Sequence, residues 1–295
     1  MDLQNCKICP RECGIDRYKY KGFCGGTATV KVARAALHYY EEPCISGESG
    51  SGTVFFSGCP LKCVFCQNKD ISAGNFGKEI TVERLAEIFL ELQEKGANNI
   101  NLVTPTHYAL QISDALDIVK DKLHIPVVYN TSGYENLQTL RLLDGKIDIY
   151  LTDLKYMSSS LSKELSKAEN YYEKTIEAIK EMVRQRGPYA FDENDMLKSG
   201  VIVRHLIIPQ NTRDSLDIID ELEETFLSDE ILLSVMSQYT PNFYDGDIDF
   251  LHRTLEPWEV DRVMERVENS IFDGYCQDLS SATDEYTPCF DLEGI

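Results

Sequence analysis

The sequence predicts an α/β chain whose core is an open, partial (β/α)6 barrel. Three observations carry that reading. Short apolar runs alternate with helical periodicity from residue 53 to about residue 241. Polar residues gather just after the apolar runs. The interval is shorter than the roughly 250 residues a closed eight-stranded barrel usually needs. Strands alternating with helices imply parallel βαβ units, and six of them span the interval. An open doubly wound sheet is the alternative arrangement of the same units.

The elements follow in order. Residues 53–57 (TVFFS) form the first strand. Leu85, Ile88, Phe89 and Leu92 then recur at helical spacing, with Thr81 as N-cap and Gly96 as stop. Residues 101–103 are the second strand, followed by a helix marked by Ile112, Leu116, Val119 and Leu123. Residues 127–129 are the third, followed by a short helix through Leu137, Leu140 and Leu143. Residues 147–152 are the fourth, before one long helix carrying Leu165, Ala168, Tyr172, Ile176, Ile179 and Val183. Residues 187–200 break the pattern and read as a loop or small hairpin. Residues 201–208 are the fifth strand, with Leu216, Ile219, Leu222 and Phe226 after it, and residues 231–236 are the sixth. The reading divides the chain into a Cys-rich segment (1–50), the partial barrel (51–245) and a C-terminal helix with a capping tail (246–295). Residues 48–52, Glu-Ser-Gly-Ser-Gly, read as a flexible joint between the first two.

Composition sets bounds on function. The chain has 295 residues, 43% hydrophobic and 26% charged, as in an ordinary globular enzyme. No run approaches the roughly 18 apolar residues of a membrane span. The start, Met1-Asp2-Leu3-Gln4-Asn5-Cys6, shows no basic-then-apolar leader, so the expected location is cytoplasmic. In that reducing compartment the ten cysteines are better suited to metal ligation than to disulfides. A formal net charge of −20 argues against nucleic acid and against anionic membranes. It suits a cationic ligand or a basic partner surface, and serves solubility equally well.

The chemistry concentrates in two cysteine groups. Gly58-Cys59-Pro60-Leu61-Lys62-Cys63-Val64-Phe65-Cys66-Gln67-Asn68 is C-x3-C-x2-C directly after the first strand. A structural zinc or an electron-transfer cluster takes four thiolates. Three on one loop would leave one iron of a [4Fe–4S] cluster open to a ligand. The competing readings are half a zinc knuckle or buried thiols. The second group, Cys6, Cys9, Cys13 and Cys24, has the spacing C-x2-C-x3-C-x10-C with glycines for tight turns. It suits a closed tetrahedral site, either zinc or a second [4Fe–4S] cluster. Cys44, Cys276 and Cys289 have no spacing partner and read as ordinary thiols.

In parallel βα architectures, sites form at the C-terminal strand ends. Besides the cysteine loop, those ends carry Thr104-Pro105-Thr106-His107, Asn130-Thr131-Ser132-Gly133, Asp153-Leu154-Lys155, Arg204 with Pro209-Gln210-Asn211, and Gln238-Tyr239-Thr240. Their polarity would be costly in a packed core, so a lined cavity is expected. Plainer roles exist for some. Thr106 suits a helix N-cap, His107 a first-turn surface residue, and Asp153 a cap. Of Arg204 and His205, one faces the lumen, and Arg204 is the preferred one.

The cysteine loop resembles the signature of the radical S-adenosylmethionine (radical SAM) superfamily. With the Asn-Thr-Ser-Gly-Tyr and Asp-Leu-Lys strand ends and the start Cys-x-x-Cys-Pro-Arg-x-Cys, the chain is most similar to pyruvate formate-lyase activating enzyme homologues. That resemblance covers roughly residues 53–241 and implies a partial barrel. It implies a [4Fe–4S] cluster on Cys59, Cys63 and Cys66, with SAM on the open iron, cleaved to a 5′-deoxyadenosyl radical. It implies that Phe65 presents backbone to adenine and that Lys155 and Arg204 hold the SAM carboxylate or ribose. It implies a monovalent cation beside Asp153, Asn130 and Thr131. The chain departs from the pattern at Asn130, which stands where the activases carry an aspartate. It departs again at Thr104-Pro105-Thr106, which replaces Gly-Gly-Glu-Pro and offers the SAM amino group hydroxyls without a charge. Such an enzyme needs a reductant of flavodoxin or ferredoxin type.

Three functions are therefore in view. One is hydrogen abstraction from a peptide or protein, in the manner of glycyl-radical activases. Another is radical chemistry on a small metabolite closed in by the tail, from Tyr275 through Tyr286 to Asp291. The third is a non-catalytic iron–sulfur or zinc scaffold. Candidate catalytic groups are Arg204, Tyr239 and His107.

Overall fold

The structure is a computed structural model, and it describes residues 2–277 and 287–295. In chain order the strands are β1 (Val30–His38), β2 (Ser51–Phe56), β3 (Lys78–Ile80), β4 (Ile100–Val103), β5 (Val127–Thr131), β6 (Ile149–Asp153), β7 (Ala190–Phe191), β8 (Leu197–Leu206), β9 (Leu232–Met236) and β10 (Gly274–Cys276). The helices are α1 (Pro43–Ser46), α2 (Lys69–Ser72), α3 (Val82–Glu94), α4 (Ala109–Val119), α5 (Leu137–Leu142), α6 (Ser159–Ser166), α7 (Tyr171–Arg186), α8 (Thr212–Thr225) and α9 (Pro257–Glu268).

One sheet runs in the order β10-β9-β8-β6-β5-β4-β2-β1-β3. Strands β2, β4, β5, β6, β8 and β9 pair in parallel, which is the predicted βα core. The sheet ends at β10 and β3 without closing. Both faces of β2, β4, β5, β6 and β9 are buried, which is why these strands read as unbroken apolar runs rather than as alternation. Helix α3 shows how the outer layer is set. Thr81 Oγ1 accepts from the Arg84 amide at 3.1 Å, and Leu85, Ile88, Phe89 and Leu92 point to the core.

The inner face closes differently. Val128, Ile149, Leu151, Ile202 and Leu232 meet Cys44 and Ile45 of α1, so one turn of the N-terminal region plugs the barrel floor. Full burial of Ile45 contributes roughly 2–3 kcal/mol. Above the plug, at the C-terminal strand ends, space remains.

Several expectations are revised. The anticipated single helix after β6 is two, because Lys167 adopts a left-handed conformation (φ 54°) and ends α6. Residues 48–52 are not a loose joint. Ser51 and Gly52 open β2, and backbone bonds from Asn98 to Gly50 and from Gly52 to Asn99 pin the segment. The N-terminal region also enters the sheet, since β1 pairs antiparallel with β2 and β3. The loop before β8 is the small antiparallel hairpin β7–β8. The tail supplies β10, parallel to β9, and its last residues bond β1 through Ala35 N to Glu293 O. Asp278 and Tyr286 of the expected capping tail lie outside the described residues.

Candidate active site

Two adjoining cavities open at the C-terminal strand ends. The first, about 190 Å³, is walled by Cys59, Cys63, Phe65 and Cys66 on one side. Thr104, Asn130, Thr131, Ser132, Asp153, Lys155 and Arg204 wall it on the other. The second, about 290 Å³, reaches from there towards α1 and is lined by His38, Tyr40, Glu41, Glu42, Ser234, Tyr275, Gln277 and Pro288, among others. Both share Gln67, Asn68, Asn130, Arg204 and Gln238, so they form one chamber.

The loop that carries the cysteines is held from outside. Gly58 has φ 92°, and a Cβ there would meet the Cys24 carbonyl oxygen at 2.4 Å, so only glycine fits. The Cys59 amide donates to that same carbonyl at 3.1 Å. Arg11 clamps the loop by donating from Nε to the Pro60 carbonyl at 2.8 Å and from its terminal nitrogens to the carbonyls of Ser166 and Lys167. Each loop sulfur faces a donor: the Leu61 amide on Cys59 (3.4 Å), Ser166 Oγ on Cys63 (3.0 Å) and Ser72 Oγ on Cys66 (3.4 Å). Donors of this kind tune an iron–sulfur cluster, and the three thiols open onto a cavity, so the residues present fit the expected cluster. Burial pushes the Cys59 thiol up to about 12 and raises Cys66 as well. These thiols become ligands when metal displaces their protons.

The charged group opposite is tightly tied. Arg204 donates to Asp153 Oδ1 (2.9 Å), Glu41 Oε2 (3.2 Å) and Asn130 Oδ1 (2.7 Å). Lys155 Nζ donates to Asp153 Oδ2 at 2.5 Å. Burial works to raise the Asp153 carboxyl, but the Lys155 and Arg204 charges outweigh it and hold it below the usual carboxylate range. Both Asp153 oxygens are thus taken by protein cations, at the position where the resemblance implied a monovalent cation. Tyr171 hydroxyl sits behind, donating to the Ser132 carbonyl (2.8 Å) and accepting from the Lys155 amide (3.0 Å). Thr104 is held at φ 58°, a costly conformation for a β-branched residue and one typical of functional strand ends.

Four expected residues lie elsewhere. Pro105 and Thr106 do not line the chamber. Thr106 and Thr131 both donate to Glu135 Oε1 at 2.5 Å, in a buried network where burial pushes the Glu135 carboxyl up to about 7. His107 is buried, with Nε2 at 2.8 Å from the Ser57 carbonyl. Burial and then Arg17 drive it down to about 3, so it is neutral and outside the chamber. Tyr239 meets Phe65 ring edge to face and donates its hydroxyl to the Leu251 carbonyl at 2.7 Å, behind the cavity lining. His205 faces outward, with Nδ1 on the Leu154 carbonyl and Nε2 on Ser215 Oγ, both at 2.8 Å.

Glu41, Glu42 and His38 were not anticipated. Their only signal was an acidic pair before Pro43, far from every predicted strand end, because β1 (Val30–His38) was not foreseen. The second cysteine group lines neither cavity. Phe23 and Gly26 amides donate to Cys13 and Cys24 sulfurs at 3.5 and 3.4 Å. Among the described residues no three Cys, His, Asp or Glu side chains converge closely enough for a single metal ion. All ten cysteines are free thiols, and among the described residues no helix is long and apolar enough to cross a membrane.

Comparison with known proteins agrees with this geometry. The uncharacterized protein MJ0674 of Methanocaldococcus jannaschii is 31% identical over 278 residues, covering 90% of this chain and 75% of the relative. The structure of Streptococcus suis SuiB bound to precursor peptide SuiA superposes with a TM-score of 0.54 at 16% identity, over 77% of this chain. The chain spans about half the length of SuiB, 48%. Methylornithine synthase (PylB) matches at a TM-score of 0.47 and 16% identity, over 90% of this chain and 74% of PylB. The family model described as the radical SAM superfamily matches residues 53–222. With the cysteine loop, the open sheet and this match in hand, the chain belongs to the radical SAM superfamily and is a radical SAM enzyme, with the [4Fe–4S] cluster and SAM that membership implies.

Proposed function

We propose that the chain abstracts a hydrogen atom from a peptide or protein substrate, in the manner of glycyl-radical activating enzymes. The observation that carries the reading is the chamber's extension beyond the cysteine side to a mouth at Tyr40, which is 57% exposed, and Pro288. That mouth leaves room for a chain segment. SuiB, whose structure holds a precursor peptide, is in keeping with it. Cluster-bound SAM, when present, supplies a 5′-deoxyadenosyl radical. Cys59, Cys63 and Cys66 would hold the cluster, and Phe65 would flank the adenine. Lys155 and Arg204 would hold the SAM carboxylate or ribose, with Thr104, Asn130, Thr131, Ser132 and Asp153 completing the wall. Leu61, Val103, Leu206 and Met236 add apolar surface to this part of the chamber.

Cys6, Cys9, Cys13 and Cys24 would hold a second metal group, a [4Fe–4S] cluster in preference to zinc. The bond from the Cys59 amide to the Cys24 carbonyl supports a relay between this group and the radical cluster. That is where electrons from a flavodoxin or ferredoxin type donor would enter. A small-metabolite substrate is the second reading, favoured by the tail residues Tyr275, Gln277 and Pro288 at the cavity wall.

The test is anaerobic reconstitution with iron and sulfide, then dithionite, SAM and a deuterated peptide panel. The expected result is 5′-deoxyadenosine that carries deuterium. Unlabelled 5′-deoxyadenosine with every peptide, but label from a metabolite pool, would select the second reading. Iron and zinc analysis of the Cys59→Ala, Cys63→Ala, Cys66→Ala triple variant decides the second metal group.

A further inference from the structure

The carboxyl groups at the chamber wall outnumber its cations. Three carboxylates, Glu41, Glu42 and Asp153, face two permanent cations, Arg204 and Lys155. Asp153 and Glu41 are accounted for. Asp153 takes Arg204 and Lys155, and Glu41 takes Arg204 and the amide nitrogens of Asn101 and Asn130, each at 3.1 Å. Glu42 is not. It is 9% exposed, and its Oε2 has no hydrogen-bond partner. Its electrostatic neighbours are Arg204, Glu41 and the Ser234 hydroxyl, all of which line the same cavity, so the carboxylate stands at the chamber wall. His38 supplies no compensating charge, because burial and then Arg34 drive its imidazole down to about 4.

Burial pushes the Glu42 carboxyl above its ordinary range and the Ser234 hydroxyl bonds it, but Oε2 is left open, so a cationic group arriving there would stabilise the charged form. Its position is fixed by the fold. The Glu42 carbonyl accepts from the Ile45 and Ser46 amides, and the Glu41 amide donates to Ser46 Oγ at 3.0 Å, so the α1 plug presents both acids to the lumen. They lie on the side of the chamber away from the cysteine loop, since neither lines the cluster-side cavity.

We infer that Glu42, with Glu41 beside it, binds a cationic nitrogen of the substrate, an ammonium or guanidinium group on a peptide side chain or on a free amine. The inference rests on the proposed reading of this chamber as the substrate site. The cation would anchor the substrate on the floor and leave the rest of the molecule directed to the cysteine side. Orientation would then come from a charge at the far end of the chamber.

The test is calorimetric binding to the anaerobically reconstituted protein with SAM present. The probes are acetyl-Gly-Lys-Gly-amide, its norleucine counterpart and n-pentylamine. In the wild-type protein the lysine peptide should bind at least about tenfold tighter than the norleucine peptide. Glu42→Gln, which keeps the shape, should bring the two within about threefold. Tight binding of pentylamine as well assigns the cation to a free amine, and binding of the lysine peptide alone assigns it to a peptide. Equal affinity of both peptides for the wild-type protein overturns the inference, without recourse to any variant. So does a lysine preference that persists in Glu42→Gln while SAM binding weakens, because Glu42 would then answer the sulfonium of SAM. Release of 5′-deoxyadenosine under dithionite is measured in parallel. Its absence sinks the proposed reaction and leaves the binding result standing.

Discussion

Arg204 and His205 are consecutive residues of β8, yet they meet opposite surroundings. His205 turns outward into the helix layer, where both ring nitrogens are closed by Leu154 and Ser215. Arg204 turns inward, where it spans Asp153, Glu41 and Asn130 and still lines both cavities. The two cysteine groups divide in the same way. Cys59, Cys63 and Cys66 open onto the chamber, while Cys6, Cys9, Cys13 and Cys24 line neither cavity and carry amide donors on two of their sulfurs. Both ring nitrogens of His205 rest on protein partners and serve to hold the fold, whereas the loop thiols and Glu42 Oε2 stand at the chamber, open to a ligand.

That contrast can be broken most sharply at the cysteines. Cys66→Ala should reduce 5′-deoxyadenosine formation to background, whereas Cys13→Ala should leave it measurable with dithionite as donor. Equal loss in both variants would erase the division between an open and a closed group.

Arg204→Met is the next largest effect. It leaves Glu41 without its cation and Asp153 with Lys155 alone, and breaking a buried pair of this kind costs about 3–5 kcal/mol. Urea unfolding measures it. A loss below about 1 kcal/mol would mean that the inner charges are solvated rather than tied.

The smallest effect belongs to the outer face. Burial above all, and the Lys155 charge, hold the His205 imidazole down at about 4, against an ordinary value of 6.5. The native state therefore binds fewer protons than the unfolded chain between those values. Its contribution is complete above pH 6.5 and is lost as pH falls towards 4. The loss amounts to about 3 kcal/mol over that window. Unfolding free energies of wild type and His205→Gln, compared between pH 7 and pH 4.5, should diverge by that order. Parallel curves would show that His205 titrates as an exposed histidine does.

Much of this was legible beforehand. The six parallel strands, the cysteine loop, and Asn130, Thr131, Asp153, Lys155 and Arg204 were all placed by a local rule. Apolar runs mark strands, and their C-terminal ends mark the site. Two of the misses share one cause. Thr106 and His107 follow β4 as directly as Thr104 does, but a 3-10 turn over Thr106–Tyr108 rotates them behind the strand, towards Glu135 and Ser57. Tyr239 lies past the end of β9, where the Leu251 carbonyl takes its hydroxyl. Lys167 splits a helix whose apolar spacing reads as continuous, because a left-handed residue leaves no mark on periodicity.

The sequence by itself determined the strand succession and the three-thiol loop, since both depend on residues within a few positions of one another. Only the tertiary structure decided that α1 plugs the barrel and carries Glu41 and Glu42 into a chamber built by strands about 60 to 190 residues away. It alone decided that Cys24 bonds the backbone of Cys59. Such contacts are set by how the N-terminal region packs across the open sheet, and packing is a property of surfaces that meet only once the chain has folded.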